Sequence, residues 1–83
     1  MHTIKEIRLF NDYQIWMKFD DGSEKAVNFR PFLGKGFTAE LLNSDKFNEV
    51  FIEEGGGLAW PNGYDFCPNY LHDYVPAVAL EQV

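Results

Sequence analysis

Residues 60–71 read WPNGYDFCPNYL, and the remainder of the chain is organised around this segment. Pro61 holds φ at about −65° and Gly63 adopts positive φ at no steric cost, so Pro-Asn-Gly predicts a tight turn. Pro68 suits the first turn of a helix, where its missing N–H would be unpaired anyway. The segment therefore predicts the end of a strand, a turn and then a short helix over residues 68–74.

The N-terminal third of the chain predicts a three-stranded antiparallel meander over residues 4–10, 13–19 and 24–29. The alternation is clearest in the second segment, because residues at period two share one face of a strand. One face would hold Tyr13, Ile15, Met17 and Phe19, and the other would hold Gln14, Trp16 and Lys18. Asn11-Asp12 and the stretch DDGS at 20–23 separate the three segments as turns.

The middle of the chain predicts short helices and then a second hairpin. Helical turns are expected over residues 37–42 and 44–48, with Thr38 and Ser44 as N-caps. Strands at 49–53 and 58–60 would flank a glycine loop. The fold class is therefore α+β: a small, mainly antiparallel sheet, made of the meander and the second hairpin, with one or two short helices on one face. Residues 1–75 are expected to form a single domain, with a C-terminal tail over 76–83.

The charge balance argues against nucleic acid as a partner. The 83 residues include 13 acidic and 7 basic side chains, for a formal net charge of −6. The basic residues are scattered singly, whereas phosphate recognition needs clustered Lys and Arg, so direct nucleic-acid binding is not expected.

The single cysteine cannot form an internal disulfide and favours a reducing compartment. No apolar run approaches the roughly 18 residues of a membrane span. We therefore expect a cytoplasmic protein without membrane contact.

The segment between Asp65 and Asp73 holds the cluster that most resembles metal or nucleophile chemistry. Cys67 and His72 are five positions apart, which fits the face of a helix poorly. Cys67 is therefore expected to be a small buried side chain, and His72 with Asp73 a solvated helix surface. Asp65 is expected to cap the following helix, with a general base or ligand contact as the alternative. No catalytic residue, metal ligand or cofactor is predicted, and His2 is expected in a frayed terminus.

Trp16 lies on the polar face of its predicted strand, and two interpretations stay open. A helix of the same chain covers it, or it marks a partner surface, because exposed Trp is enriched at binding hot spots. In the second case the aromatic residues of the 60–71 segment would extend the surface. The candidate binding residues are Trp16, Trp60, Asn62, Tyr64, Asp65 and Tyr70.

Three motifs resemble one small bacterial family. They are DYxIxMxFDDG at residues 12–22, FRPFL at residues 29–33 and, most specifically, WxNGxD at residues 60–65. The family is catalogued as a domain of unknown function, numbered twenty-four forty-two, and the resemblance covers roughly residues 4–74. It implies a small α+β domain, and it carries over no activity, cofactor or catalytic residue. Genes of the family often lie beside that of another small protein, which implies a toxin–antitoxin or regulatory pair.

The leading functional hypothesis is a non-enzymatic, acidic interaction module of the bacterial cytosol. It would bind a protein partner, a basic one encoded beside it or a second copy of itself, by burying the aromatic patch. The alternative is a small-molecule-binding domain or minor enzyme with Asp65 and His72 lining a pocket under the Trp60 turn. A flat aromatic surface favours the first hypothesis, and a closed pocket that holds Asp65 favours the second.

Overall fold

Two small antiparallel sheets and several short helices make up the part of the chain that the structure, a computed structural model, describes: residues 2–74. The first sheet has the order β1-β2-β3, with β1 at Ile4–Phe10, β2 at Gln14–Phe19 and β3 at Glu24–Asn28. The predicted meander and the α+β class are confirmed. Residues 75–83 lie outside the described part, so the domain end at 75 and the tail over 76–83 stay predictions.

The alternation of β2 decides which face of the first sheet meets the core. Ile15 and Met17 are fully buried and Phe19 is 2% exposed. Gln14 and Lys18 are exposed on the opposite face. Because the period of a strand is two residues, the same face continues into β3, where Val27, opposite Ile15, is also buried. The sheet therefore has one face in the core and one face open to solvent among the described residues.

A turn over residues 11–13 connects β1 and β2, one residue longer than predicted. Asp12 and Tyr13 both have a φ of 63°, a left-handed conformation that costs a non-glycine residue about 1–2 kcal/mol. Tyr13 therefore belongs to the turn and not to the strand. Its hydroxyl donates to the carbonyl of Leu42, and its ring meets Phe47 edge-on with 5.3 Å between centroids. These two contacts hold the turn against the core.

Three short helical segments lead from the first sheet to the second: 3₁₀ helices at Arg30–Phe32 and Gly36–Leu42, and α1 at Ser44–Phe47. The predicted helical turns are confirmed, but the predicted caps are wrong. The N-cap of α1 is Asn43, whose side chain accepts the N–H of Asp45 at 2.9 Å, while Ser44 is already helical. Thr38 lies inside the second 3₁₀ helix, where its hydroxyl donates to the carbonyl of Lys35.

The second sheet is a meander of three two-residue strands in the order β4-β5-β6, at Phe51–Ile52, Leu58–Ala59 and Asp65–Phe66. The last of these strands is absent from the sequence-based prediction, in which the Pro-Asn-Gly turn leads directly to a helix. Helix α2 spans Pro68–Asp73 and begins at the proline, as predicted. Among residues 2–74, no helix has both the length and the apolar composition that crossing a membrane requires.

Trp60 lies at the centre of the core between the two sheets. Its side chain is 1% exposed, and its indole N–H donates to the carbonyl of Phe47 at 2.8 Å. The ring also packs against Phe29 and Phe66, with centroids 6.0 and 6.1 Å away. A buried tryptophan needs a partner for its one polar group, and the end of α1 supplies it. Trp60 therefore joins the second sheet to the helical connection.

Lys25 of β3 closes the C-terminal end of α2. Its ammonium group donates to the carbonyls of Leu71, His72 and Tyr74 at 3.0, 2.6 and 2.7 Å. Carbonyls at this end of a helix lack partners within the helix, and a cation there also interacts favourably with the helix dipole. This one side chain therefore fastens α2 to the first sheet.

Replacing Lys25 with methionine, which keeps most of the aliphatic stem, is expected to lower the free energy of unfolding by about 1–2 kcal/mol, because the charged hydrogen bonds are lost. Urea denaturation followed by tryptophan fluorescence measures the change. Lys18→Met, on the open face of the first sheet, is the matched control and is expected to change stability by less than about 0.5 kcal/mol. Equal losses in both variants would contradict the capping role.

Candidate functional site

Six aromatic side chains form a continuous series of ring contacts, which we call the aromatic ridge. Phe37 meets Tyr64 edge-on at 5.6 Å between centroids, and Tyr64 meets Phe66 at 5.1 Å. The series continues through Tyr70, 6.2 Å from Phe66, to Tyr74, 5.8 Å from Tyr70. Ring pairs at these separations stabilise one another beyond simple burial. The complete ridge consists of Phe32, Phe37, Tyr64, Phe66, Tyr70 and Tyr74.

The ridge combines a buried member with two exposed ones. Phe66 is 9% exposed, whereas Phe37 is 57% exposed and Tyr70 is 49% exposed. The three residues come from β6, the second 3₁₀ helix and α2, so the ridge depends on how these elements pack. Two exposed aromatic side chains on one series of ring contacts are more typical of an interaction site than a single exposed side chain.

Tyr64 connects the exposed part of the ridge to the core. Its ring lies 5.7 Å from that of Trp60, and its hydroxyl donates to the carbonyl of Phe32 at 3.4 Å. Burial raises the pKa of Tyr64, and the nearby Tyr70 raises it further. The hydroxyl therefore stays protonated at neutral pH and acts as a hydrogen-bond donor rather than as a charge.

Asn62 positions the ridge from the turn between β5 and β6. Its side-chain oxygen accepts the N–H of Tyr64 at 3.0 Å, and its amide nitrogen donates to Glu40 at 3.1 Å and to the carbonyl of Phe37 at 3.4 Å. One side chain thus links the two residues that form one end of the ridge. Both polar atoms of the Asn62 side chain are used inside the described chain, which indicates a positioning residue.

Trp60 and Asp65, two other candidate binding residues, lie outside the exposed part of the ridge. Trp60 is buried beneath Tyr64, so its indole supports the ridge and is not available to a partner. Asp65 is exposed in β6 and pairs with Ala59, and its side chain points away from the face of Tyr64 and Phe66 because of the two-residue period. The predicted cap is wrong, because Cys67 is the N-cap residue of α2.

Trp16 lies on the open face of the first sheet, apart from the aromatic ridge. It stands between Ile15 and Met17, both buried on the opposite face. Two side chains that meet its indole come from the neighbouring strands. The guanidinium of Arg8 lies 5.6 Å from the ring centroid, and the indole N–H donates to Glu24 at 3.3 Å. The candidate binding residues therefore fall on two surfaces instead of one.

Two small cavities open on the described part of the surface. One, of about 180 Å³, is lined by residues of the β1–β2 turn and α1, and the other, of about 230 Å³, is lined by residues that include Glu40 and Asn62. Both are smaller than the roughly 300–1,000 Å³ of typical ligand pockets. Neither is lined by Asp65 or His72, so these cavities lend no support to the enzyme alternative.

His2, Asp21 and His72 form a cluster that the sequence-based predictions miss. The two imidazole rings stack with 3.6 Å between centroids and 3° between planes, so His2 is not frayed. Nε2 of His72 lies 3.0 Å from Asp21, and Nδ1 lies 3.1 Å from Asp73. His72 is therefore held on both sides rather than simply solvated. Cys67, expected to be buried, is exposed.

Hydrogen bonds shift the pKa of two members of this cluster. The bonds to Asp73 and to Asp21 raise the pKa of His72. The hydrogen bonds from the hydroxyl and the backbone of Ser23 lower the pKa of Asp21 well below its usual range. Asp21 is therefore a fixed negative charge beside two imidazoles at neutral pH.

The sequence motifs at residues 12–22, 29–33 and 60–65, which now have a place in the turns, strands and helices of the fold, are found in a known protein family. A family model described as "Protein of unknown function (DUF2442)" matches residues 4–77. The chain belongs to the DUF2442 family. The resemblance noted in the sequence is thereby confirmed, over nearly the whole of the chain. A search of curated proteins and a search of solved structures found no match.

The DUF2442 match includes every residue of the aromatic ridge, together with Asp21 and His72, and it begins just after His2. Of the ridge, Tyr64 and Tyr70 are among the candidate residues derived from the sequence. The other four members, Phe32, Phe37, Phe66 and Tyr74, are missed as site residues because their convergence depends on contacts between different elements. One local signal is Phe37 itself, a large apolar side chain next to Gly36 at the start of the second 3₁₀ helix.

Proposed function

We propose that this DUF2442 chain is a non-enzymatic interaction module of the bacterial cytosol that binds a basic protein partner through the aromatic ridge. The observation that carries the proposal is the exposure of Phe37 and Tyr70 on a series of rings whose centre is buried. Rigid aromatic side chains offer a large contact area at a small entropic cost, and they are enriched among binding hot spots. A partner encoded by a neighbouring gene is the first to test.

Charge supports the choice of a basic partner. The chain has a net charge of −6, and exposed acids such as Glu40 and Asp73 come from the same helices as Phe37 and Tyr70. Arginine guanidinium groups stack on tyrosine and phenylalanine rings, so one arginine side chain can use both the ring and the surrounding negative charge. Such a surface also disfavours acidic competitors by repulsion.

The test begins with capture of partners from the native host by the tagged chain, followed by mass spectrometry and by light scattering of the eluate. A stoichiometric basic protein, whose affinity falls as salt increases, is the expected result. A mass that corresponds to a multiple of the chain alone would instead indicate self-association. A monomer without a partner would count against the module.

The captured partner then allows a matched comparison of variants. Phe37→Ala combined with Tyr70→Ala is expected to weaken binding by about tenfold or more, because each exposed hot-spot side chain contributes on the order of 1–2 kcal/mol. Phe51→Ala is the control, since Phe51 of β4 is 46% exposed and lies outside the ridge. Trp16→Ala tests the open face of the first sheet. Unchanged affinity in the folded double variant would contradict the proposed role of the ridge.

A further inference from the structure

His2, Asp21 and His72 bring two imidazoles and one carboxylate together from three distant parts of the chain. His2 precedes β1, Asp21 lies in the turn between β2 and β3, and His72 lies in α2. Each histidine offers one ring nitrogen, Nδ1 or Nε2, and Asp21 offers one carboxylate oxygen. These three donor atoms all lie within 4.8 Å of one another. We propose that these three residues form a binding site for a divalent first-row transition-metal ion, for which Zn²⁺ is the probe.

The atoms of Asp21 and His72 that do not face the cluster are already used. Oδ1 of Asp21 accepts both the backbone N–H and the hydroxyl of Ser23, at 2.9 and 2.6 Å, which leaves Oδ2 toward the histidines. Nδ1 of His72 lies 3.1 Å from Asp73, which leaves Nε2 toward Asp21. A histidine whose second nitrogen is held by a carboxylate is the usual arrangement at a metal, because that carboxylate orients the ring and increases its basicity.

The backbone positions of the ligands are also restrained. The N–H of His2 donates to the side chain of Asn69 at 2.9 Å. The carbonyl of His72 accepts from Lys25 at 2.6 Å, and the ring of His72 packs edge-on against Phe19 with 4.9 Å between centroids. These contacts fix the backbone of His2 and the ring of His72 before the ion arrives, so binding requires a change only in the side chain of His2.

The distances between donor atoms fit a small ion after one adjustment. In a tetrahedral zinc site with bonds of about 2.0–2.2 Å, neighbouring ligand atoms lie roughly 3.3 Å apart. Oδ2 of Asp21 lies 3.0 Å from Nε2 of His72 and 3.8 Å from Nδ1 of His2. Because the two rings are parallel, the half-buried ring of His2 must turn out of the stack to direct its lone pair at the same point.

The type of donor selects the class of ion. Imidazole nitrogen favours Zn²⁺, Ni²⁺ and Cu²⁺, whereas Mg²⁺ and Ca²⁺ require sites made mostly of oxygen. Oδ1 of Asp20, 3.9 Å from Nδ1 of His2, can provide a further oxygen or hold a bound water. A single ion at this point would connect the N-terminal segment, the β2–β3 turn and α2.

The test is calorimetric titration of Zn²⁺ into the metal-stripped full chain, with its N-terminus unmodified and any affinity tag removed. One ion per chain is expected, with much weaker binding of Mg²⁺. His72→Asn and His2→Asn are each expected to weaken binding by tenfold or more. Asp73→Asn leaves all three proposed ligands in place and is expected to weaken binding by about 10–100-fold through the orientation of His72.

Two controls make the result decisive. Cys67→Ser tests the exposed thiol as the source of any binding, and Asp45→Asn removes an exposed carboxylate of α1, outside the proposed site. Both variants are expected to bind Zn²⁺ as tightly as the natural chain. Unchanged affinity in the His2→Asn, His72→Asn double variant, or loss of binding in Cys67→Ser, would overturn the proposal.

A measurement on the natural chain covers the case in which a histidine variant fails to fold. Nitrogen resonances of the imidazole rings report directly which ring nitrogen is bound to a metal. On addition of Zn²⁺, the expected shifts are those of Nε2 of His72 and Nδ1 of His2. Resonances of both rings that stay unchanged at saturating Zn²⁺ would overturn the proposal without any substitution.

Discussion

Replacing Trp60 with alanine is expected to lower the free energy of unfolding by about 3–5 kcal/mol, the range for removal of a large aromatic side chain from a core. Trp60 is 1% exposed and contacts Phe29, Phe47, Tyr64 and Phe66. The substitution leaves a cavity at the meeting point of both sheets, and it removes the donor to the carbonyl of Phe47. A domain of this size has about 5–10 kcal/mol of stability in total, so the substitution removes a large share of it.

Two further variants separate the causes of this effect. Trp60→Phe keeps much of the volume but loses the hydrogen bond, and it is expected to have a smaller effect, of about 1–3 kcal/mol. Trp16→Ala removes the other tryptophan from the open face and is expected to change stability by about 1 kcal/mol or less. Thermal and urea denaturation followed by circular dichroism measure all three. A Trp60→Ala variant as stable as Trp16→Ala would contradict the central position of Trp60 in the core.

The elements that follow from the sequence are those with a strong local signal. The alternation over residues 13–19 identifies β2 and its buried face, because each side chain there is placed by a period of two residues. The glycine of the DDGS turn has a φ of 87°, the conformation for which that residue type is suited. Pro68 begins α2 for an equally local reason, since it requires no hydrogen-bond partner.

The strand β6 could not be predicted, because it has two residues and is created by pairing. Asp65 and Phe66 carry no strand pattern of their own, and they become a strand because Leu58 and Ala59 lie opposite. The same argument applies to the histidine cluster. His2 and His72 are far apart in the chain and meet only because the first sheet and α2 are packed together. The cluster therefore depends on tertiary structure.

The candidate binding residues also divide into those whose location the sequence predicts correctly and those whose location depends on tertiary structure. Tyr64 and Tyr70 belong to the segment that the sequence singles out, and both are part of the ridge. Trp16 is predicted to share a surface with them, but it lies on the open face of the first sheet, apart from the ridge. The prediction fails because the sequence contains no information on which face of this sheet β6 and α2 approach. Trp60 is predicted as a contact and is buried instead, since aromatic residue type alone does not distinguish a hot spot from a core residue.

Gly57 shows how closely the ridge depends on the packing of the second sheet. A Cβ atom at this position would lie 2.1 Å from the carbonyl oxygen of Phe66 and 3.0 Å from Cδ of Pro68. Both neighbours are restrained, one in the backbone of β6 and the other in the first turn of α2. Gly57→Ala therefore requires β6 and α2 to move away from β5, and it is expected to destabilise the chain by about 2–3 kcal/mol.

The substitution also links stability to the proposed function, because the displaced elements carry Phe66 and Tyr70 of the ridge. Gly57→Ala is expected to weaken partner binding even at temperatures at which the variant is folded, whereas Gly55→Ala is not. Gly55 is the matched control from the same loop, since its Cβ would meet only the side-chain end of Glu53, which can rotate away. Denaturation and partner binding of the two variants, measured side by side, test this inference. Equal binding by both variants would contradict the dependence of partner binding on the position of β6 and α2.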